Sequence, residues 1–439
     1  MLLSSRTGES EKIMNKQDLM QRRDRAMGPA YRLFYDEPVY LVRGEGIWLY
    51  DDDGRKYLDC YNNVASVGHC HPHVVEALSR QASTLNTHTR YLHNNVVEYA
   101  ERLTSTLPGD LSVCMLVCTG TEANELAYRI SRTVSGNDGA IVTESAYHGN
   151  SNVGNDLSTM EYPASERPEY LEAVEAPSGY RGRYDYQEPD FGEAYAALAG
   201  EGIDRLAERQ RRPAMFLCDN IFSSNGVLTP PPAYLQEAYR RVREAGGLAV
   251  ADEVQSGLCR LGDHMWGFMD SEVVPDIVTM GKPMGDGHPL AAVVTTPEIA
   301  GKFAQKYDYF NTFGGNPVSA AVGMAVLDVI EDENILQNVK SAGDYLGRGL
   351  RKLAQKHALI GDVRGKGLFF GVELVRNPET REPADTEARK VAEHLRHNGI
   401  LLGVSGPCRN VIKIRPPLVF SRENADQLLD GLQTAIDRL

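Results

Sequence analysis

The sequence predicts an α/β fold, with a large domain built on a mostly parallel sheet and a smaller C-terminal α/β domain. Short apolar runs alternate with segments of helical periodicity through the middle of the chain, which is typical of a parallel sheet covered by helices. The length of 439 residues is too great for one compact core. The apolar runs predict strands at residues 113–117, 215–218, 248–251, 277–280 and 291–295.

The flanking segments have their own patterns. Residues 1–28 are polar and are expected to form an arm that is mobile or packs on a partner, and strand-like pieces follow at 39–58. Residues 155–195 are rich in Pro, Tyr and charge, so we interpret them as an inserted loop region.

A helix is predicted from Pro317, because Val318, Val322, Ala325 and Val329 fall on one face. It would carry the chain into the smaller domain. There we expect helices near 334–357 and 384–398 and strands near 367–374 and 411–415. We divide the chain into an N-terminal arm with a small-domain segment (1–60), a large domain (61–325) and a C-terminal small domain (326–439).

Composition excludes several classes of partner. The formal net charge of −14 argues against a nucleic-acid surface or an anionic membrane surface, although it leaves room for a small anionic substrate. Seven cysteines without CxxC spacing predict reduced thiols and a cytoplasmic location. The N-terminus has no long apolar region and no run of about 18 apolar residues occurs, so neither a secretory signal nor a membrane span is expected.

The most informative segment is DIVTMGKPMGDGHP at 276–289. A short apolar strand stops at Gly281 and presents Lys282 in a glycine-rich turn. A lysine at the C-terminal end of a strand can point into a crevice, where burial lowers its pKa and leaves the amine nucleophilic. Such a lysine can form a Schiff base with pyridoxal phosphate.

Two further motifs suit the same cofactor. In CTGTEANE an apolar strand runs into Gly120 and Thr121 and then into a helix, which exposes backbone N–H groups to a phosphate; the alternative is an ordinary helix capped by Thr121. In LAVADEVQ, Asp252 ends a buried strand and therefore needs a cationic partner, such as a pyridinium nitrogen. One crossover separates Asp252 from Lys282, so both can lie at the same sheet edge.

These motifs resemble those of the class III pyridoxal-phosphate enzymes of fold type I. TGTEANE, AYHG, ADEVQSG, MGKPMG and TFGGNP occur in the order and spacing of that family, and the match covers about residues 39–418. The resemblance implies pyridoxal 5'-phosphate as the cofactor. It implies that Lys282 holds the cofactor covalently, Asp252 pairs with the pyridine nitrogen, and Gln255 approaches the ring hydroxyl.

The resemblance assigns four more residues. Gly120 and Thr121 would hold the cofactor phosphate, and Tyr147 in AYHG would stack on the ring. Thr312 in TFGGNP would reach the phosphate bound by the neighbouring subunit. The implied assembly is a homodimer with shared active sites, with a tetramer left open.

Within the family, four segments resemble the ethanolamine-phosphate and phosphohydroxylysine phospho-lyases: 59–72, 85–93, 275–289 and 410–417. Two departures from the aminotransferase pattern bear on the mechanism. Lys413 aligns where many aminotransferases carry an arginine for the substrate carboxylate. Asp219 is the only acid in LCDNIFSSNG, where many carry glutamates; the compared lyases also have a glutamate there, so the role of Asp219 is left open.

The predicted reaction is elimination of phosphate from O-phosphoethanolamine to give acetaldehyde, ammonia and inorganic phosphate. Lys282 would remove the proton, and cations would hold the leaving phosphate. The candidates are Arg32, Lys413 and Arg90. The alternatives are an ω-aminotransferase, a phospho-lyase for 5-phosphohydroxylysine, and a non-catalytic cofactor-binding scaffold, against which the intact Lys282 and Asp252 speak.

The sequence also contains GHCHPH, in which His69, His71 and His73 alternate as metal ligands sometimes do. No further ligand cluster stands out elsewhere in the chain. We therefore expect no metal site.

Overall fold

The computed structural model describes residues 16–439. Twelve α-helices and sixteen β-strands are found in that part of the chain. The helices are α1 Lys16–Met27, α2 Pro72–Ala82, α3 Asn94–Thr104, α4 Gly120–Ser135, α5 Asn152–Asp156, α6 Phe191–Glu208, α7 Pro232–Glu244, α8 Pro297–Ala304, α9 Pro317–Asp332, α10 Ile335–Lys356, α11 Asp385–His397 and α12 Arg422–Asp437.

The strands cover both ends and the middle of the described chain. They are β1 Leu41–Glu45, β2 Trp48–Asp51, β3 Lys56–Asp59, β4 Val113–Val117, β5 Gly139–Thr143, β6 Leu171–Val174, β7 Pro213–Asp219, β8 Leu248–Asp252, β9 Ile277–Met280, β10 Ala291–Thr295, β11 Ile360–Lys366, β12 Phe369–Asn377, β13 Glu382–Pro383, β14 Ile400–Leu401, β15 Gly403–Ser405 and β16 Val411–Ile414. Short 3-10 turns lie at Ala164–Glu166, Gly267–Ser271 and Lys282–Gly285.

The largest sheet has seven strands in the order β4-β10-β9-β8-β7-β5-β6. Strands β9, β8, β7, β5 and β6 are parallel, and β10 runs antiparallel to both β9 and β4. All seven residues of β7 are buried, as expected for a strand with helices on both faces. The predicted mostly parallel sheet is therefore confirmed, with one antiparallel strand inserted near its edge.

Register brings polar residues together at the carboxyl edge of this sheet. Asp219 of β7 lies opposite Asp252 of β8, and Asp252 lies opposite Thr279 of β9. Lys282 follows β9 in the 3-10 turn. The predicted placement of Asp252 and Lys282 at one sheet edge is confirmed.

Two smaller sheets contain the remaining strands. One has the order β1-β2-β3-β14, in which β14 pairs in parallel with β3 and so joins the two ends of the described chain. The other has the order β11-β12-β16-β15 and packs against α10 and α11. The predicted helices at 317, 334–357 and 384–398 are found as α9, α10 and α11. The proposed domain boundaries stay a prediction.

The segment 155–195 differs from its interpretation as a loop region. It contains β6, which pairs in parallel with β5 at the edge of the large sheet, and the start of α6. Leu171, Ala173 and Val174 are buried in β6, whereas Glu172 is only partly buried. Because this alternation is only four residues long and its flanks are polar, the apolar signal is weak in the sequence.

The N-terminal arm lies only partly within the described residues. Residues 16–27 form the helix α1, none of whose residues is buried, and residues 1–15 lie outside the described range. Among residues 16–439, no helix combines the length and apolar character that crossing a bilayer requires.

A pair of helical glycines provides a test of the packing between α10 and the second small sheet. A Cβ on Gly343 would lie 2.5 Å from the carbonyl carbon of Gly367, whereas a Cβ on Gly301 of α8 meets no heavy atom within 4 Å. We expect Gly343→Ala to lower the free energy of unfolding by about 1–3 kcal/mol, because backbone must shift. Gly301→Ala should raise it by about 0.5–1 kcal/mol. Denaturant unfolding of both variants decides; equal effects would contradict this account.

Candidate active site

A pocket of about 360 Å³ lies at the carboxyl edge of the large sheet, beside the start of α4. Polar groups from four separate elements converge on it, as in most cofactor sites of open α/β sheets. The residues that line it include Gly120, Thr121, Asn124, Tyr147, His148, Gly149, Asp219, Asp252, Gln255 and Lys282.

Lys282 is partly buried in the wall of this pocket. Burial lowers the pKa of its amine first, and the positive charge of Arg415 lowers it further, against the opposing charges of Asp252 and Asp219. Its φ of 26° is positive, a backbone conformation that costs about 1–3 kcal/mol and occurs most often at functional sites. The structure therefore presents an amine that loses its proton more readily than an ordinary lysine.

Asp252 is held by a buried hydrogen-bond network. Its Oδ2 accepts from Asn124 Nδ2 at 2.9 Å and from His148 Nδ1 at 2.8 Å, and its Oδ1 accepts from the amide of Val254 at 3.0 Å. Thr279 Oγ1 donates to Asn124 Oδ1 at 2.7 Å, which orients the Asn124 amide group toward Asp252. Burial alone would raise the pKa of Asp252, but His148 and the other donors hold it below its usual value. Asp252 is therefore a buried carboxylate.

The start of α4 has the form of a phosphate seat. Thr119, and not Thr121, caps the helix: its hydroxyl accepts from the Glu122 amide at 3.2 Å. This corrects the alternative interpretation of Thr121 as the cap. Within residues 16–439, the amides of Gly120 and Thr121 have no acceptor, so two donors point outward from the positive end of the helix.

Two glycines let the backbone around the pocket pack closely. A Cβ on Gly120 would lie 2.9 Å from a methyl carbon of Val254, and a Cβ on Gly149 would lie 2.9 Å from Thr121 Oγ1. His148 Nε2 is buried and has no hydrogen-bond partner among residues 16–439. Free amides, a carboxylate and a lysine around one cavity are the groups that pyridoxal phosphate requires, so the residues fit this cofactor.

Three residues that were assigned by resemblance differ in how they lie relative to the pocket. Tyr147 lines the pocket with its ring partly exposed. Gln255 also lines it, and its Oε1 accepts from Asn63 Nδ2 at 3.0 Å and from Arg415. Thr312 is exposed in the loop before α9 and does not line this pocket. Its role toward a neighbouring subunit stays a prediction.

Lys413 and Arg415 are two buried cations that do not line the pocket but act electrostatically around Lys282, the first through its response to the Lys282 charge and the second through its effect on Lys282. Lys413 Nζ donates to the carbonyl of Ser223 at 3.0 Å. Arg415 Nε donates to the carbonyl of Tyr61 at 3.1 Å, and its guanidinium donates to Gln255. Burial lowers the pKa of both groups, and in Lys413 the charges of Arg415 and Lys282 lower it further. The pKa of Lys413 falls well below its usual range.

Arg415 was missed by the sequence analysis. Lys413 lies in β16, which ends at Ile414, and Arg415 follows directly after the strand, so alternation along the extended chain places both side chains on the same face. The two-residue spacing of Lys413 and Arg415 can be seen in the sequence KIRPP. Only Lys413, the position that aligns with the family arginine, was assigned a role. Asn124 and His148 were also present in quoted motifs without an assigned role.

Asp219 supplies negative charge to this cluster. It is buried at the end of β7, and its carboxylate accepts from the amides of Ile221 at 3.1 Å and Ser223 at 2.8 Å. Its charge raises the pKa of Lys282, Lys413 and Arg415 against the effect of burial. Asp219 thus partly balances three cations, which gives the residue left open by the sequence a physical role.

The other two predicted phosphate contacts lie at the surface. Arg32 is exposed and does not line the pocket. Arg90 is also exposed, and its guanidinium lies 3.9 Å from the centroid of the Phe310 ring. The structure of the single chain therefore does not bring Arg32 or Arg90 together with Lys413, and their contact with substrate stays a prediction.

The three histidines of GHCHPH face three different acids. His69 Nε2 lies 2.7 Å from Asp59, His71 Nε2 lies 3.0 Å from Glu333, and His73 Nε2 lies 2.8 Å from Asp328. Each ring is therefore committed to a separate ion pair or hydrogen bond. In the part of the chain that the structure describes, no group of three or more metal-ligating side chains converges.

Comparison with known proteins agrees with the fold. The family model for class-III aminotransferases matches residues 34–436. The chain is 42% identical over 96% of its length to an alanine–glyoxylate aminotransferase 2-like protein of Drosophila melanogaster, covering 87% of that protein. It is 37% identical over 97% of its length to ethanolamine-phosphate phospho-lyase homolog 1 of Caenorhabditis elegans, covering 94% of that protein.

A solved structure is similar over the same range. A phospholyase from Arthrobacter in complex with phosphoethanolamine superimposes with a TM-score of 0.92 and is 42% identical, over 96% of this chain and 100% of that chain. The chain belongs to the class-III aminotransferase family and has the pyridoxal-phosphate fold type I. Membership implies pyridoxal phosphate as the cofactor.

Arg415 provides a test of the electrostatics around Lys282. Only the neutral amine reacts with the cofactor aldehyde, so the rate of cofactor capture by the apoenzyme should rise with pH through a pKa below that of an ordinary lysine. Removing the Arg415 charge should raise the pKa of Lys282. We therefore expect Arg415→Met to move the capture profile to higher pH, measured by the absorbance of bound cofactor after mixing.

The exposed Arg348 on α10 is a matched control, because it lies on a helix outside the site. Arg348→Met should leave the profile where it is. An unshifted profile in Arg415→Met would show that its charge does not act on Lys282.

Proposed function

We propose that the protein is a pyridoxal-phosphate-dependent phospho-lyase that eliminates phosphate from O-phosphoethanolamine, giving acetaldehyde, ammonia and inorganic phosphate. One observation carries the proposal: Lys413 and Arg415 are buried and act electrostatically around Lys282, and their hydrogen-bond partners are uncharged oxygens. Neither forms an ion pair within residues 16–439. Buried cations whose charge is only partly balanced, here by Asp219, are costly, and a bound phosphate dianion would offset that cost.

The comparisons support the same substrate class. The similar Arthrobacter structure is that of a phospholyase with phosphoethanolamine, and the relative from Caenorhabditis elegans has an ethanolamine-phosphate phospho-lyase name. Lys413 stands where an arginine for a substrate carboxylate is expected in many aminotransferases of the family. A compact ammonium group suits a phosphate as a point charge, whereas a guanidinium fork suits a planar carboxylate.

The cofactor-binding residues follow from the pocket. Gly120 and Thr121 would donate their amides to the cofactor phosphate, and Asp252 would pair with the ring nitrogen. Tyr147 would cover the ring, and Lys282 would hold the cofactor covalently. Pyridoxal phosphate, when bound, supplies an electron sink for the carbanion formed beside the substrate nitrogen.

The residues of this chain have separate roles in the elimination. Lys282, once released by the incoming amine, takes a proton from the carbon that bears the nitrogen; its lowered pKa favours the neutral base. The bond from the neighbouring carbon to the phosphate oxygen breaks, and the electron pair leaves with the phosphate. Lys413 and Arg415 stabilise the departing dianion. The two-carbon fragment is hydrolysed to acetaldehyde and ammonia.

An ω-aminotransferase is the second candidate, because the similar Drosophila melanogaster protein has an aminotransferase name at the same 42% identity. In that reaction the amino group of the substrate is transferred to a keto acid and no phosphate leaves. Release of inorganic phosphate with acetaldehyde from phosphoethanolamine, without an added keto acid, separates the two. A phospho-lyase for 5-phosphohydroxylysine would give phosphate from that longer substrate and not from phosphoethanolamine.

A homodimer with shared sites is part of the proposal. Large apolar side chains are exposed on the single chain beside Thr312: Leu92 is 100%, Phe313 71% and Tyr91 66% exposed. The rings of His88 and Phe310 lie 5.6 Å apart, so the segments around 88–92 and 310–313 form one surface. An exposed apolar surface of this kind is typical of a protein–protein interface. A second copy of the chain bound there would bring Thr312 to the neighbouring cofactor.

The compartment is a further proposal. All seven cysteines are free thiols, and we propose a cytoplasmic location in which they stay reduced.

The lyase proposal predicts the effect of removing the buried ammonium. Lys413→Met keeps the apolar stem and deletes the charge, so kcat/KM for phosphoethanolamine should fall by about 10- to 150-fold, corresponding to about 1.5–3 kcal/mol for a charged hydrogen bond. Steady-state release of phosphate and acetaldehyde is the measurement, and the cofactor absorbance should be unchanged. Arg32→Met measured beside it tests the remaining sequence prediction.

Lys340→Met, which deletes an exposed charge on α10 that pairs with Asp263, is the control and should keep the parental kcat/KM. If the parent releases no phosphate, the function is wrong. If the parent releases phosphate and Lys413→Met keeps the parental kcat/KM, the function stands and the assignment of Lys413 as a phosphate contact fails.

The dimer proposal predicts that a charge in the apolar surface prevents association. We expect Leu92→Arg to shift the mass measured by light scattering from dimer to monomer and to remove activity, because the fully exposed Leu92 would be buried against the partner. Val274→Arg, at an exposed apolar side chain before β9, is the control and should stay dimeric. A Leu92→Arg dimer with parental activity would rule out this surface.

A further inference from the structure

A second cavity, of about 700 Å³, lies near the C-terminal end of α4. Residues from α4, from the turn before β5, from the turn before β7 and from the segment after α8 line it. Five of them are basic and two are acidic, so the cavity carries a local excess of three positive charges on a chain of formal net charge −14. The basic residues are Arg129, Arg132, Arg211, Arg212 and Lys306.

Two of these cations already bind polar groups of the protein. Arg211 forms an ion pair with Asp138 and lies 3.4 Å from Glu169. Arg212 donates to the carbonyl of Ala245 at 3.0 Å. The Arg211–Asp138 pair also neutralises one of the two lining acids, which leaves Glu125 as the other.

The other three cations have no ion pair within residues 16–439. The guanidinium of Arg129 lies 4.5 Å from the centroid of the Tyr307 ring, and that of Arg132 lies 5.6 Å from the centroid of Tyr128. The ammonium of Lys306 lies 5.5 Å from the Tyr307 centroid. The rings hold these groups through cation–π contacts, which use the face of a guanidinium and leave its in-plane N–H donors free.

We infer that this cavity binds a small molecule carrying two or more linked phosphates. Several N–H donors on separate segments surround one concave volume, and a chain of phosphates can contact more than one of them at once. A cavity of this size is in the range of ordinary small-molecule sites. The ring faces of Tyr128 and Tyr307 are already occupied by cations, so recognition is of the phosphates and not of a stacked base.

The site is separate from the active site and does not depend on the proposed function. Arg129 and Arg132 lie nine and twelve residues after Gly120 along α4. At the helical rise this places them roughly 14 and 18 Å from the phosphate seat at the start of that helix. A ligand here therefore occupies a different surface from the cofactor and substrate.

The test is calorimetric titration of the full-length holoenzyme with inorganic triphosphate at low ionic strength, with ATP in a second arm. We expect saturable binding in both arms, weakening with added salt because the contacts are exposed charges. Similar affinities for triphosphate and ATP would show that the site recognises the phosphates alone. Tighter binding of ATP would show that the site also contacts the nucleoside. Arg129→Gln/Arg132→Gln/Lys306→Gln should weaken triphosphate binding by about tenfold or more, since each exposed contact contributes a factor of a few.

The matched control is Arg348→Gln/Arg351→Gln/Lys352→Gln, which removes the same charge from the exposed face of α10. It should bind triphosphate as the parent does. The inference is overturned if the parent shows no saturable binding, if the cavity variant binds as the parent, or if the control loses as much affinity. It is also overturned if a single-stranded oligonucleotide binds the parent more tightly than triphosphate.

Discussion

The register of three parallel strands is the constraint on which the rest of the site depends. Because β7, β8 and β9 run in the same direction, Asp219, Asp252 and Thr279 come to lie side by side at one edge of the sheet. The chain leaving β9 then turns so that Lys282 reaches the same edge. A shift of one residue in any of these pairings would turn the polar side chain away from the pocket. The buried apolar faces of the strands fix that register and so fix the chemistry.

Charge balance in a buried space is the second constraint. The charge of Arg415 lowers the pKa of both Lys282 and Lys413, and the charge of Lys282 lowers that of Lys413 further. Asp219 opposes the effect at both lysines, and Asp252 opposes it at Lys282. Two carboxylates do not neutralise the cluster fully, because Asp252 is already paired with His148. The remaining positive potential favours an anion beside Lys282. It also favours the neutral form of the lysine, so one arrangement supplies both a base and an anion site.

Much of this site could be predicted from the sequence, because each motif is local. Lys282, Asp252 and the start of α4 follow from an apolar strand that ends in a polar or glycine-containing turn. The network around Asp252 could not be predicted in this way: Asn124, His148 and Thr279 come from three separate elements, and only the folded sheet brings them within hydrogen-bond distance. Strand β6 was missed because four alternating residues give too little periodicity.

The positions of the cations show why local sequence does not determine specificity. Lys413 was identified by its alignment with the substrate-carboxylate arginine of the family, yet Arg415 is the cation whose charge lowers the pKa of Lys282. Both leave the same face of one strand, and the carbonyls of Ser223 and Tyr61 determine where each charge rests. The fold and cofactor seat of the family serve both aminotransfer and elimination. The outcome depends on whether positive charge is offered to a group on the carbon next to the one that loses its proton. In this chain that charge is buried, acts on the base, and is only partly balanced by Asp219.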